Sequence, residues 1–400
     1  MSAYACEPNK GSEPGVGWNW AKHMSNYNDI IVITRSSNRD NIEKEVVKNK
    51  NENIRFEYFD LPKWLRFWKK GNRGVHIYYK IWQLCIYFKA KQIIKKHDID
   101  LVHHVTFNEF RTPGYLWRLN KPFVLGPIGG AQHIPNGFER YYKKHLFKEK
   151  VRKLINSYYK SSLTLKKALK KSKYIIFANT DTYNFLYNDS LINKSAIFLE
   201  TGINEENIKT INEYRDSSVF NLMWAGNIIY RKALIILLEA LRIVDIPNLR
   251  LNVVGEGELR KECEEFCNKN NLQEVVNFCG SVNHSKMDNL YQQCDVFIFT
   301  SLRDTSGNVV LEAMANGKPV VVINHHGVAD IVSEKCGIKI DPISPEYVVS
   351  KLAEAIELLY KDNNLRNKMG IEAQSRIKSE YLWTSKSKKM QKIYERVIQL

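Results

Sequence analysis

The sequence predicts an α/β protein of two doubly wound parallel-sheet domains, and three observations carry that expectation. Short apolar runs alternate with helical stretches along the whole chain. At 400 residues the chain is too long for one ordinary core. A polar stretch at 204–218 has no apolar period and reads as a linker between two halves. In the first half, strands are expected over 30–34, 54–59, 101–105, 123–126, 174–178 and 196–199, with long helical stretches near 75–97 and 138–171. In the second half, strands over 221–225, 250–254, 275–279, 296–300 and 319–323 alternate with helices near 231–244, 257–269, 284–293, 308–316 and 345–360. The expected domains are 1–203 and 219–380, and a terminal helix over 381–400 is expected to pack back on the first domain. The chain opens Met1-Ser2-Ala3-Tyr4-Ala5 with no apolar run where a first, central strand is expected. Either a start several residues upstream or an impaired copy is expected on that ground.

Composition narrows the function classes. Hydrophobic content of 44% with 20 Gly and 11 Pro fits a folded chain. Seven scattered cysteines form no disulfide framework, and Cys263 and Cys267 lack further ligands at zinc spacing, so a reducing compartment is expected. No run approaches the roughly twenty apolar residues of a membrane span. Residues 1–200 hold 35 of the 60 Lys and Arg but only 17 of the 43 Asp and Glu, so the net charge of +17 sits on the first half. The excess concentrates in Lys63-Trp64-Leu65-Arg66-Phe67-Trp68-Lys69-Lys70, in 78–96 and in 140–173, where cations alternate with Tyr, Trp, Leu and Phe. That interleaving suits an anionic membrane surface, and solvated helix faces are the plainer reading. No recognisable nucleic-acid motif accompanies the charge, so no nucleic-acid partner is expected.

The stretch from Ser301 to Ala315 carries the most chemistry. The run 295–300 reads as a buried strand and 309–316 has helical spacing, so 301–308 is a strand-to-helix turn of the kind that opens onto a ligand crevice. Gly307 permits close approach to the backbone, and the helix that follows offers unpaired N–H groups and a positive dipole end suited to phosphate. Asp304 and Glu312 flank this turn with carboxylates that accept hydrogen bonds from hydroxyls. A phosphate cradle between two hydroxyl-binding carboxylates matches what a nucleotide-sugar requires. Two further turns, Gly255-Glu256-Gly257 and Gly280-Ser281-Val282, follow strands and fall on the same sheet edge.

These residues resemble the GT-B glycosyltransferases, and among them glycosyltransferase family 4, which transfers sugars from nucleotide donors with retention of configuration. The resemblance spans nearly the whole chain and is strongest over 221–342. It implies that Glu312 binds the donor ribose, that Asp304 contacts the donor sugar, and that Ser306, Gly307, Asn308 and Val309 present backbone amides to sugar and phosphate. In Gly226-Asn227-Ile228-Ile229-Tyr230-Arg231-Lys232-Ala233 it implies a glycine turn followed by cations for the donor diphosphate, with Lys232 first and Arg231 second. The family often has Arg at Asn227 and Gly at Ala233. Gly255 and Val282 would border the nucleobase. Gly15 and Gly17 resemble a glycine-bearing loop that precedes a helix near Trp18 and faces the phosphates and acceptor. The resemblance implies a His after the strand at 101–105 that meets the donor sugar, and of His103 and His104 the expected one is His104.

The resemblance therefore implies a retaining, metal-independent glycosyltransferase with its two domains facing across a cleft. A UDP- or GDP-sugar would be donor, and a glycan or polyprenyl-linked acceptor would belong to cell-surface polysaccharide synthesis. Location is expected to be cytoplasmic, peripheral on the inner face of the plasma membrane through the first half. No cofactor and no metal are expected: Asp98-Ile99-Asp100 precedes its strand and so lies at the wrong end of the sheet, and no P-loop pattern occurs. A sugar-nucleotide epimerase of the same fold and a catalytically silent nucleotide-sugar binder stand as alternatives.

Overall fold

The computed structural model describes residues 1–49, 52–66, 68–69, 74–211 and 219–399. Residues 212–218 of the expected linker and residues 67 and 70 of the expected basic run lie outside them. The chain divides into two compact units. Unit 1 is 1–131, 154–202 and 383–400; unit 2 is 132–153 and 203–382.

Unit 1 is built on seven parallel strands: β1 (Ser2–Ala3), β2 (Ile30–Thr34), β3 (Ile54–Tyr58), β4 (Val102–Thr106), β5 (Phe123–Ile128), β6 (Tyr174–Phe177) and β7 (Ser195–Ile197). Their spatial order is β3-β2-β1-β4-β5-β6-β7. Unit 2 holds six: β8 (Phe220–Ala225), β9 (Leu249–Val254), β10 (Val276–Gly280), β11 (Val296–Phe299), β12 (Val320–Ile323) and β13 (Gly337–Ile340), in the order β10-β9-β8-β11-β12-β13. Every pairing is parallel. Both orders reverse direction once, between β1 and β4 and between β8 and β11. Doubly wound sheets bind ligands at that reversal, beyond the carboxyl ends of the strands.

The central strand of the first sheet, which the sequence gives no sign of, is present as the two-residue β1. Ser2 pairs with Ile33 on one side and with His104 on the other, and Ile33 N–H donates to Met1 O at 2.9 Å. Two residues are too short for any apolar alternation, which is why the run is invisible in the sequence. The ladder groups of β2 and β4 nevertheless find partners there.

Unit 1 buries its sheet under helices on both faces. Helix Ser12–Met24 and helix Trp383–Gln399 cover one face, where Trp20 meets Trp383 edge-on at 5.3 Å. Trp20 also donates its indole N–H to Glu200 O at 2.9 Å. Lys386 is fully buried there. Desolvation pulls its ammonium down to about 7, and it donates to Leu199 O with Phe198 under its charge at 3.7 Å. Helix Val75–Lys96 covers the other face through Tyr78, Tyr79, Trp82, Ile86 and Ala90.

In unit 2 the core lies between the sheet and helices Leu234–Leu241, Arg260–Lys269 and Pro345–Lys361. Cys263 and Cys267 belong to this core one helical turn apart, and burial pushes their thiols up to about 12 and about 11. All seven cysteines are free. The helix expected over 138–171 is three pieces: a 3-10 stretch Glu139–His145, helix Leu146–Lys160, and helix Leu163–Lys171. Ser162 separates the last two by capping, its hydroxyl accepting from Leu165 N–H. The segment 132–153 belongs to unit 2, where Ile134, Phe138 and Tyr142 join the core. Nothing in its local pattern announces this.

Candidate functional site

The turns that follow β8 and β11 flank the reversal point of the second sheet, and those that follow β9 and β10 continue along the same sheet edge. Those after β8 to β10 are stacked by backbone bonds: Gly226 N–H donates to Val254 O at 2.9 Å, Gly255 N–H to Gly280 O at 2.9 Å, and Ile228 N–H to Glu256 O at 2.9 Å. Gly255, at φ +134°, lies so close to the first turn that a Cβ there would sit 2.0 Å from Gly226 O. Only glycine fits that contact. Val282 follows Gly280 and is half-buried beside the β10 end of this edge.

Arg231 and Lys232 occupy a 3-10 turn, Tyr230–Lys232, ended by Ala233 at φ +46°, ψ +47°. That left-handed conformation is one glycine adopts without a Cβ penalty, which Ala233 carries. Ala233 also delays the helix expected from 231, which starts at Leu234. The turn is stitched to the loop after β11. Leu302 N–H and Ser301 Oγ donate to Arg231 O at 2.8 and 3.2 Å, Thr300 Oγ1 donates to Lys232 O at 3.1 Å, and Trp224 Nε1–H donates to Thr300 Oγ1 at 3.1 Å. These bonds fix the cationic turn against the acidic one.

Lys232 Nζ bonds the Asp304 carboxylate, with both side chains largely buried at 13% and 21% exposure, and it lies 4.8 Å from the centroid of the Phe299 ring. Burial alone would raise the Asp304 carboxyl. The Lys232 charge and hydrogen bond, Arg231 and the Thr305 N–H outweigh it and hold the group below the usual carboxylate range. Asp304 is thus ionised, and Lys232 has its charge held in place at the reversal point. Arg231 turns aside to donate to Arg303 O at 3.2 Å, so of the two neighbouring cations Lys232 is the one paired with Asp304.

Beyond Asp304, Gly307 takes φ +69°, ψ +55° and caps helix Asn308–Ala315. The first N–H groups of such a helix have no intrahelical acceptor. Ser306 Oγ donates to Asn308 Oδ1 at 3.0 Å and tightens the entry. Helix His326–Ile331 presses the loop from behind: a Cβ on Gly327 would lie 2.0 Å from Thr305 O, and His325 and His326 rings contact Ser301 O at 2.8 Å and Leu302 O at 3.3 Å. A Cβ on Gly307 would meet Val328 Cγ1 at 2.5 Å. Gly307→Ala is therefore expected to destabilise the fold by about 1–3 kcal/mol, from strain and overpacking together. A melting curve checks this, and an unchanged melting temperature would contradict the loop geometry.

Glu312 sits half-buried on the same helix, and Tyr291 donates its hydroxyl to Glu312 Oε2 at 2.9 Å. Tyr291 is fully buried, and burial followed by the Glu312 charge raises its hydroxyl well above the ordinary value, so it remains a donor. Sequence reasoning missed Tyr291, since 21 positions in the chain separate it from Glu312 and no motif links them. It also missed a buttress from segment 132–153. Glu149 Oε1 accepts from Tyr230 OH at 2.8 Å and from Arg303 Nη2 at 3.1 Å, and His145 stacks on Tyr230 at 4.0 Å. This brace holds both turns from outside.

The structure thus brings together Gly226, Arg231, Lys232, Asp304, Ser306, Gly307, Asn308, Val309 and Glu312, with Gly255 and Val282 on the adjoining turns. The expected residues of unit 1 behave differently. Gly15 and Gly17 are not in a loop: the helix begins at Ser12 and contains both. A Cβ on Gly15 would lie 2.0 Å from Lys10 O, and one on Gly17 2.0 Å from Ala5 O. Their absent side chains are used to pack the helix against its own preceding segment.

His103 and His104 are the second and third residues of β4 rather than its end, and both are 1% exposed. Their rings go to opposite layers, as strand alternation requires. His103 contacts Tyr394 OH and Gly126 O, both at 2.6 Å. His104 Nε2 lies 3.1 Å from Tyr79 OH. Desolvation pulls their rings down to about 3 and about 4, so both are neutral. His104 is enclosed within unit 1. It touches the tyrosine that accepts Phe107 N–H at 2.9 Å and donates to Thr106 O at 3.2 Å. Asp98 and Asp100 precede β4, away from the strand ends that carry the turns. Among the described residues no three metal-ligating side chains come together, and no helix is long and apolar enough to cross a membrane.

Comparison with known proteins adds to this geometry. Residues 206–376 match the model of the family described as glycosyl transferases group 1. The chain is 28% identical over 176 residues to an uncharacterized glycosyltransferase of Methanocaldococcus jannaschii, a match spanning 44% of this chain and 44% of that protein. It is 26% identical over 333 residues, 78% of this chain and 81% of the other, to the N,N'-diacetylbacillosaminyl-diphospho-undecaprenol alpha-1,3-N-acetylgalactosaminyltransferase of Campylobacter jejuni. Among solved structures it resembles a glycosyltransferase of Rickettsia africae with a TM-score of 0.66 at 18% identity, covering 96% of each chain. Sucrose-phosphate synthase of Thermosynechococcus elongatus gives 0.68 at 16% identity, covering 98% of this chain and 95% of that one. The chain therefore has the GT-B fold of two Rossmann-like parallel-sheet domains, and its residues 206–376 match the glycosyl transferases group 1 family.

Proposed function

We propose that the chain is a glycosyltransferase that moves a sugar from a UDP- or GDP-sugar to a lipid-linked or glycan acceptor, with retention and without a metal. The observation that carries this reading is the pairing of Lys232 with Asp304 beside the Gly307 helix entry at the sheet reversal. In this reading the amides of Gly307, Asn308 and Val309 meet the diphosphate, as helix N-termini meet anions. Glu312, oriented by Tyr291, accepts from the ribose hydroxyls. Asp304 accepts from hydroxyls of the donor sugar. As the glycosidic bond breaks, negative charge grows on the departing diphosphate, and Lys232 stabilises that charge more than the ground state. The fixed cation and the helix end supply the charge compensation that a metal ion supplies elsewhere. The leaving phosphate oxygen takes the acceptor's proton as attack proceeds on the same face. His104 holds the segment after β4 through Tyr79.

We further propose that unit 1 serves the acceptor and rests peripherally on the anionic inner face of the plasma membrane, in synthesis of cell-surface polysaccharide. The acceptor class is supported by the diphospho-undecaprenol named for the Campylobacter relative. The surface is supported by the exposed apolar row Ile77, Ile81, Leu84 and Phe88 on a helix rich in lysine. Melting curves with candidate donors test the reading. A nucleotide-sugar at 100 times its dissociation constant is expected to stabilise the protein by about 2.7 kcal/mol. No shift with any UDP-, GDP- or ADP-sugar would refute it.

A further inference from the structure

One carboxylate stands behind both donor turns. Glu149 Oε1 accepts from Tyr230 OH, two positions before Lys232, at 2.8 Å, and from Arg303 Nη2, one position before Asp304, at 3.1 Å. Arg303 Nη2 also lies 3.5 Å from Tyr230 OH, which closes a triangle of three side chains. The Glu149 and Arg303 side chains are only 10% and 16% exposed, so water does little to replace either partner. Tyr230 is fixed on its face as well, since His145 stacks on it with the rings 15° from parallel. Burial, followed by the Glu149 bond, raises the Tyr230 hydroxyl above its ordinary value and keeps it a donor. Glu149 and His145 belong to segment 132–153, which Phe138 and Tyr142 anchor in the unit 2 core. The two turns also bond each other directly, Arg303 N–H to Arg231 O at 3.3 Å and Arg231 Nη1 to Arg303 O at 3.2 Å. Those bonds join the turns to one another, and Glu149 joins both to a third element.

We infer that Glu149 is a positioning residue for sugar transfer: it holds Tyr230 and Arg303 where they set Lys232 against Asp304. The inference rests on the proposed transferase reading and adds to it a residue from outside the donor turns. A stabilising cation acts through its placement at the moment charge develops, and a misplacement of about 1 Å costs on the order of 10²-fold in rate. The negative charge of Glu149 matters as much as its shape. Without it the largely buried Arg303 guanidinium loses its acidic partner, and the nearest carboxylate along the chain is Asp304, the partner of Lys232. Arg303 competing for Asp304 would draw the acid away from the ammonium it now fixes. A purely structural brace would lower donor binding and turnover together. A positioning group lowers turnover, because the ground-state diphosphate keeps the helix N-terminus.

Glu149→Gln keeps the length and an acceptor for Tyr230 while removing the charge. In the full chain it is expected to lower turnover of a stabilising nucleotide-sugar, read as nucleoside diphosphate released, by about 10- to 100-fold, with the dissociation constants of UDP and GDP within about threefold of wild type. In a Lys232→Ala background the same change is expected to cost less than about threefold, because no ammonium remains to be placed. Tyr230→Phe, which keeps the ring against His145, is expected to give a smaller loss of the same kind and carries the test if Glu149→Gln does not fold. Unchanged turnover in the variant, equal losses with and without Lys232, or nucleotide affinity falling in step with turnover would overturn the assignment, while a wild-type response to nucleotide-sugars keeps the transferase reading. A wild type that responds to no nucleotide-sugar would overturn both.

Discussion

Glu312→Ala is expected to weaken binding of the donor nucleotide by roughly 10- to 150-fold, the effect of losing hydrogen bonds to a charged group worth about 1.5–3 kcal/mol. A carboxylate accepts from several donors at once, and Tyr291 donates to Oε2. Because Tyr291 reaches Val309 O at 3.3 Å as well, it fixes Glu312 relative to the amides expected to meet the diphosphate. The loss should appear in the dissociation constant of the nucleoside diphosphate itself and be absent for a sugar phosphate without ribose. Titration of both ligands against wild type and variant measures it. Equal affinities of wild type and variant for the nucleotide would remove Glu312 from the site.

Lys232→Ala is expected to lower turnover by about 10²–10³-fold, the scale found when one preorganised stabiliser of developing charge is removed. Donor affinity should fall less, since the ground-state diphosphate keeps the helix N-terminus. A second consequence separates this from a simple loss of positive charge. With its partner gone, burial would dominate the Asp304 carboxyl and raise it. In the wild type the lowered Asp304 value adds stability above the ordinary carboxylate range, and that stability is lost as pH falls through the lowered value. The variant should lose this increment across the neutral range, so its melting temperature should be lower at pH 7. Steady-state kinetics with melting curves at several pH values checks both parts. Unchanged turnover, or a full loss of donor affinity with turnover kept, would contradict the assigned role.

The unit 2 site was largely legible in the sequence because its chemistry is local. Val296–Phe299 is a continuous apolar strand, Gly307 marks the helix entry, and Asp304 and Glu312 share one short stretch, so topology follows from spacing. Glycines at 226 and 255 announce turns for the same reason. What escaped reading depends on contacts between distant segments. Glu149 braces Arg303 across 154 positions, and Tyr291 orients Glu312 from another helix. β13, with its lysine at the sheet edge, gives no continuous apolar run, and β1 is too short to show a period. Gly15 and Gly17 read as loop glycines although they lie in a helix, because a glycine that lets a helix approach a carbonyl looks the same in sequence as one in a turn. His104 has its Nε2 against Tyr79 inside the sheet, a contact between positions 25 apart that no local spacing announces.

The central claim is that the second sheet holds a sugar nucleotide at its reversal point. A crystal structure grown with a nucleotide-sugar that raises the melting temperature tests it most directly. The diphosphate is expected against the amides of Gly307, Asn308 and Val309 with Lys232 beside it, and the ribose hydroxyls are expected within hydrogen-bond reach of Glu312. A nucleotide bound elsewhere on the chain, with the Lys232 and Asp304 pair untouched, would contradict the account.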